Sequence, residues 1–221
     1  MSVTDEDFFR VTGLTFAWLA GAPLFRDADF RCGMTERLGI AADNGTGKST
    51  FLRILTGLET PQTGEILCMG DAAKTKEDFR RVRTRAGFVL QNPDDQLFFP
   101  EVIDDVMFGP MNLGLTENEA RERAQEVLAR LGIAHLAHAD SFSLSGGQKR
   151  LVTVASVLSM NPTGLLLDEP STGLDRAART RLSEVLLAFP GPEIIVSHDE
   201  KFLAGLCTRV VTIEDGKFRT L

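Results

Sequence analysis

Two short stretches hold residues whose types and spacing could do chemistry. The first, ADNGTGKST at 42–50, sets Gly45 and Gly47 ahead of Lys48, Ser49 and Thr50. Glycines so spaced let successive backbone amides wrap a phosphate at a helix N-terminus, where the dipole favours negative charge. Asn44, Gly45, Thr46, Gly47, Lys48, Ser49 and Thr50 are therefore candidate ligands of ATP. Lys48 would reach its outer phosphates and Ser49 would ligate Mg2+. Ala42 occupies the place where this spacing usually has its first glycine, a substitution that matters if the position needs a positive φ. The second stretch, LLLDEP at 165–170, is an apolar run ending in two acids. A buried strand that ends this way offers Asp168 to the magnesium ion through water. It leaves Glu169 beside the last phosphate, as the base that orients and deprotonates an attacking water.

A third stretch, SLSGGQKR at 143–150, is a second anion-holding element in one small chain. On average composition LSGGQ arises by chance in only about a few chains per ten thousand. Ser145 is placed to cap the following helix, and Gly146 and Gly147 let its first amides approach a phosphate closely. One nucleotide held by Lys48 does not easily meet both cradles of one chain. Two copies arranged head to tail do, each closing Ser145, Gly146, Gly147 and Gln148 over the other's ATP.

These motifs resemble the nucleotide-binding subunits of ATP-binding cassette proteins, and the resemblance runs in order along the chain. It implies that Gln91 in FVLQNP senses magnesium and the transport partner. It implies that Asp175 in STGLD crosses the dimer interface and that His198 in IIVSHD contacts the last phosphate. Trp18 in LTFAWLAG aligns with the aromatic residue that stacks on adenine; indole offers a larger π face than the usual tyrosine. A narrower resemblance, carried by LQNPDDQLFFPEVIDDVMFGPMNLGL, is to the ATPase subunits of energy-coupling factor importers of vitamins, cobalt or nickel. It implies a second ATPase subunit, identical or paralogous, and a transmembrane coupling protein docked near Gln91, Asp94, Asp95, Leu97, Phe98 and Phe99. The apolar LFF beside acids suits a basic amphipathic helix. The expected function is thus ATP hydrolysis that drives an importer. Two alternatives are another transport or non-transport cassette ATPase and a regulatory nucleotide-binding module.

The elements that must position these residues are legible too. Short alternating runs over the first 42 residues predict strands of an antiparallel or mixed sheet. A helix is expected from about Gly47 to Gly57, a strand at EILCM, a helix at TKEDFRRVRT and a strand at AGFVL. From Asn92 on, prolines at 93, 100 and 110 predict short broken pieces. TENEARERAQEVLARLG is the clearest helix. Thr116 and Glu119 fit a capping box, Ala120, Ala124, Val127, Leu128 and Leu131 one buried stripe, and Gly132 the end. A helix to about Met160, the strand GLLLDE, the helix RAARTRLSEVLLAF, the strand EIIVS and the hairpin RVVTIEDGKF complete the series. The expected fold is α/β: a P-loop NTPase core with an N-terminal antiparallel β subdomain and an inserted α-helical subdomain. One cassette is expected over 1–221, its core from 1–91 and 161–221 and its helical subdomain from 92–160.

Bulk properties narrow the partners. The chain has 221 residues, 43% hydrophobic and 25% charged, with a formal net charge of -7. That acidity argues against non-specific nucleic-acid or anionic-lipid binding. No apolar run approaches the ~20 residues of a spanning helix. With an acidic N-terminus and no signal peptide, the expected place is the cytoplasmic face of the cell membrane, reached only through protein partners. Cys32, Cys68 and Cys207 lack metal-ligand spacing and read as reduced thiols. RRVRTR reads as a solvated helix face, and His135 and His138 as surface residues.

Overall fold

The computed structural model describes residues 7–18, 22–43 and 45–221. In chain order the elements are β1 (Asp7–Phe16), β2 (Phe25–Gly33), β3 (Arg37–Ile40), α1 (Lys48–Leu55), β4 (Thr63–Cys68), β5 (Asp71–Ala72), α2 (Lys76–Arg85), β6 (Ala86–Val89), α3 (Val102–Asn112), α4 (Glu117–Arg130), α5 (Gly146–Leu158), β7 (Gly164–Asp168), α6 (Arg176–Leu187), β8 (Glu193–Val196), α7 (Glu200–Leu206), β9 (Arg209–Glu214) and β10 (Lys217–Thr220). The chain divides into two units, the first comprising Met1–Phe88, Thr163–Asp168 and Gly191–Leu221, the second Val89–Pro162 and Glu169–Pro190.

The first unit is built on two sheets. One has four strands in the order β2-β1-β4-β5, antiparallel throughout. The other has the order β10-β9-β3-β8-β7-β6, in which β3 runs parallel to β8 and β9, and β7 parallel to β8. The early strands thus part company: β1 and β2 join the antiparallel sheet, whereas β3 enters the parallel one. Its residues Leu38, Gly39 and Ile40 are all buried, as a strand covered on both faces requires. A Cβ on Gly39 would lie 3.1 Å from the Cys207 sulfur and 3.3 Å from Leu203, so glycine there lets α7 pack on β3. Phenylalanine holds the unit together. The Phe51 ring of α1 sits 4.7 Å from Phe30 and 4.6 Å from Phe218, fixing the helix that follows the glycine loop. Burial pushes the Cys68 and Cys207 thiols up to about 12, which keeps them protonated and unreactive. The basic run on α2 is engaged by its own neighbours: Arg81 pairs with Asp78, Arg85 with Asp71, and Arg83 donates to the Thr56 carbonyl.

The second unit is helical. In α4 both halves of the Thr116–Glu119 capping box form, and Ala120, Ala124, Val127, Leu128 and Leu131 are buried. Gly132 takes φ 73°, the left-handed turn that ends a helix. The expectation of short pieces around the prolines is corrected by α3, which runs through Pro110. Proline removes the N–H that would bond the carbonyl four residues back, at Val106. The Ser159 hydroxyl donates to that carbonyl at 2.7 Å in its place. Gly109, lacking a Cβ, relieves the crowding that proline imposes on its predecessor and admits Met160, which a Cβ would meet at 2.5 Å.

Among the described residues no helix is long and apolar enough to cross a membrane.

Candidate nucleotide site

In the first unit the glycine loop leaves the end of β3 and enters α1. Parallel strands point their carboxyl ends to one edge of the sheet, the edge where α/β folds bind ligands. Asp168 ends β7 and Ser197 follows β8, so both arrive at that edge with the loop. Gly45 has φ 83° and Gly47 φ 100°, conformations a side chain resists. Among the described residues, chain neighbours aside, nothing lies within 4 Å of a Cβ on Gly45, whereas one on Gly47 would meet the Phe25 ring at 3.1 Å. Ala42 is not among the residues with positive φ, so alanine carries no backbone strain there. Thr46 closes the loop by donating its hydroxyl to the Asp43 carbonyl at 2.9 Å. Asn44 lies outside the described residues.

The Lys48 side chain is buried and its ammonium donates to the carbonyls of Ala42 and Asp43, the latter at 2.9 Å. Ser49 and Thr50 are half-buried in the first turn of α1, and Asp168 is buried. His198 is exposed and lines a cleft of about 200 Å³ with Ala41, Ala42, Asp43, Glu200, Thr212 and Leu221. Its backbone is set by its neighbours. The Ser197 hydroxyl accepts from the Asp199 N–H at 3.1 Å, and Asp199 caps α7 by accepting from Phe202. Hydroxyl and carboxylate oxygens such as those of Ser49 and Asp168 are the hard donors magnesium prefers.

Trp18, 50% exposed, packs its ring edge-on against Phe16 at 5.1 Å. The stretch before it is clamped by Gln62, whose amide both accepts from the Ala17 N–H and donates to the Ala17 carbonyl at 2.9 Å. No sequence motif marks Gln62, because it acts through backbone groups 45 residues away.

The second unit carries the other candidates. Ser145 caps α5: its hydroxyl oxygen accepts from the Gln148 N–H, and the Gln148 side chain accepts from the Ser145 N–H at 2.9 Å. Gln148 is therefore used in the cap, which leaves the Ser145 hydroxyl hydrogen free to point elsewhere. A Cβ on Gly147 would approach the Gly173 carbonyl to 3.0 Å, whereas one on Gly146 would meet nothing within 4 Å among the described residues. Asp175 caps α6 by accepting from the Ala178 N–H at 2.8 Å. Glu169 is buried and holds φ 51°, a left-handed conformation costly for a side-chain-bearing residue and concentrated at functional positions. The Thr172 hydroxyl lies 3.3 Å from its carboxylate as a donor.

Gln91 is exposed, as are Asp94 and Asp95. Leu97 is not part of any surface: it is 6% exposed, while Phe98 is 64% exposed and Phe99 half-covered by Phe108 at 5.3 Å. The buried Asp105 carboxylate accepts from the Phe98 and Phe99 N–H groups, holding the backbone so that Leu97 turns inward and Phe98 outward. His138 is exposed, 3.0 Å from Glu101.

The profile of the family described as ABC transporter matches residues 25–172. The cobalt import ATP-binding protein CbiO of Rhodobacter capsulatus is 43% identical over 92% of this chain and 74% of its own. The energy-coupling factor transporter ATP-binding protein EcfA of Methanothermobacter thermautotrophicus is 37% identical over 92% of this chain and 67% of its own. The solved structure of cbiO1 from Clostridium perfringens, part of the ABC transporter complex cbiONQ, superposes with a TM-score of 0.84. It shares 32% identity, covering 97% of this chain and 87% of that one. With the glycine loop, the two acids and the capped glycine pair in place, this chain belongs to the ABC transporter family as one of its ATP-binding, ATP-hydrolysing cassettes.

Proposed function

We propose that this ATPase is the motor of an energy-coupling factor importer for cobalt, nickel or a vitamin. It works as a head-to-tail pair, with itself or a paralogue, at the cytoplasmic face of the membrane, and residues 1–221 act as one cassette. The observation that carries the pairing is Gly146. Among the described residues nothing would meet a Cβ at that position, so the approach to the first amides of α5 is open to a ligand. The triphosphate on one copy's Lys48 loop fits that role. Similarity over 92% of the chain to a cobalt import protein and to EcfA supports the transport reading.

The residues then divide the work. Trp18 stacks on adenine, and the amides of residues 44 to 50 take the phosphates. Lys48 exchanges the Ala42 and Asp43 carbonyls for phosphate oxygens, which are better partners for an ammonium. Magnesium, held by Ser49, Asp168 and Gln91, would supply charge neutralisation on the phosphates. Glu169 takes a proton from the attacking water as the water oxygen bonds to the γ-phosphorus and ADP leaves. His198 steadies the transferred group; from the other copy, Ser145, Gly146 and Gly147 close over it, Gln148 acting through the cap, and Asp175 crosses between copies. Opening after hydrolysis is passed to a transmembrane coupling protein near Gln91, Asp94, Asp95, Phe98 and Phe99.

Glu169→Gln tests the reading. It should preserve ATP binding, abolish turnover and trap an ATP-dependent dimer in gel filtration. Adding Ser145→Arg should abolish the dimer with the affinity of a single chain nearly unchanged. Undiminished hydrolysis by Glu169→Gln would remove Glu169 from its role, and an ATP complex that stays monomeric would remove the pairing.

A further inference from the structure

Arg150 lies in the second turn of α5 and is 4% exposed. Its guanidinium donates to the Leu90 carbonyl at 2.7 Å and to the carbonyl of Gln91. The residue before it, Lys149, pairs with Asp94 at 2.6 Å. Two consecutive side chains of one helix thus fasten the start of the loop that carries Gln91. The far end of the same loop is fastened by Asp105, which accepts from Phe98 at 2.7 Å, from Phe99 at 3.1 Å and from the Ser141 hydroxyl at 2.9 Å. Ser141 opens the short turn Ser141–Ser143, which runs directly into the Ser145 cap. Residues 90 to 99 are held at both ends by buried charged groups, and both holds lead to the N-terminus of α5.

A buried guanidinium must find acceptors, and its planar fork reaches two successive carbonyls that the point charge of lysine does not. A hydrophobic residue would fill the space equally well without the cost of burying a charge. The arginine therefore answers to the carbonyls rather than to the packing. We propose that Arg150 is a positioning residue: it ties the Gln91 loop to α5 so that Gln91 and the Ser145 cap shift as one body, with Asp105 securing the other end. This rests on the roles given above to Gln91 and Ser145. It adds that displacement at Phe98 reaches the Ser145 cap through hydrogen bonds to backbone rather than through apolar contact alone.

The test compares the full-length chain with Arg150→Lys and Lys149→Ala. It measures hydrogen exchange, ATP affinity by equilibrium binding, and steady-state kcat and KM. Arg150→Lys should speed exchange of the amides of residues 91 to 99 about tenfold while β3 and β7 keep their protection. It should lower kcat about fivefold or more with ATP affinity changed less than about twofold. Lys149→Ala, which removes only the more exposed tie, should loosen the amides near Asp94 and no others. If Arg150 merely filled the core, exchange would rise across α3 to α6 alike and kcat per folded molecule would hold. Either that pattern or unchanged exchange at 91 to 99 overturns the proposal. Should Glu169→Gln leave hydrolysis undiminished, the assignment of the base fails, while the exchange data still decide the tie.

Discussion

The Val106 carbonyl, orphaned by Pro110, is taken by the Ser159 hydroxyl at 2.7 Å, closer than the Ser156 carbonyl at 2.9 Å, so the proline inside α3 does not leave that acceptor unpaired. Leaving such a group unsatisfied costs about 1–3 kcal/mol. Ser159→Ala should therefore lower unfolding stability by that amount. Pro110→Ala restores an N–H at the position that serves Val106, so in the Ser159→Ala background it should recover most of the loss. Urea unfolding of the two single variants and the double variant measures the coupling directly. Additive effects would mean that the hydroxyl and the proline do not share that carbonyl.

The glycine pair of the signature loop splits into two unlike positions. Gly147 faces the Gly173 carbonyl at 3.0 Å from where a Cβ would stand, and Gly146 faces none of the described residues within 4 Å. Gly147→Ala should cost about 1–3 kcal/mol of stability, since backbone has to move to admit the methyl group. Gly146→Ala should be neutral or slightly stabilising in thermal unfolding, because alanine favours a helix start that glycine weakens. Under the paired arrangement it should nevertheless lower ATPase activity about tenfold or more, by blocking the approach of phosphate. Stability and turnover measured on both variants separate the two positions; an active Gly146→Ala chain would speak against a nucleotide held there.

What the sequence announced, and what it hid, follows the range of the forces involved. The Thr116–Glu119 capping box, the Ser145 cap, the glycines 45, 47 and 132 and the stripe of α4 depend on residues within a turn of one another, so their spacing displays them. Helix α3 was concealed because its permission to pass Pro110 comes from Ser159, 49 residues later. The burial of Leu97 is hidden for a similar reason, since LFF reads as a uniform apolar run until Asp105 fixes which side chain turns inward. The short α7 passed unmarked, its Asp199 cap standing inside a motif read only for His198. At the candidate site the chemistry-bearing side chains were visible. Their supports Gln62, Thr172, Asp105 and Arg150 were not, because each acts on a backbone group or carboxylate without any conspicuous pattern of its own.

Glu193 opens β8 with its side chain fully buried, opposite Arg37 of β3 and beside Leu165 of β7, and neither of its oxygens has a hydrogen-bond partner among the described residues. Burial pushes its carboxyl up to about 8, against the opposing pull of the Arg37 guanidinium. Cys207 is the other titratable group beside it, and its thiol stays protonated in this range. The folded chain therefore keeps a proton on Glu193 that the unfolded chain releases near its ordinary value of 4.5. A folded pKa above the unfolded one means stability is complete below about pH 4.5 and is lost progressively as pH rises to about 8, with no further change beyond. At about 1.4 kcal/mol per unit the loss over that window is on the order of 5 kcal/mol. Glu193→Gln cannot ionise, so its stability should stay flatter from pH 5 to 9 and exceed that of the parent at the alkaline end. Urea midpoints collected across that range test it, and parallel curves for the two proteins would show that Glu193 is already charged in the folded sheet.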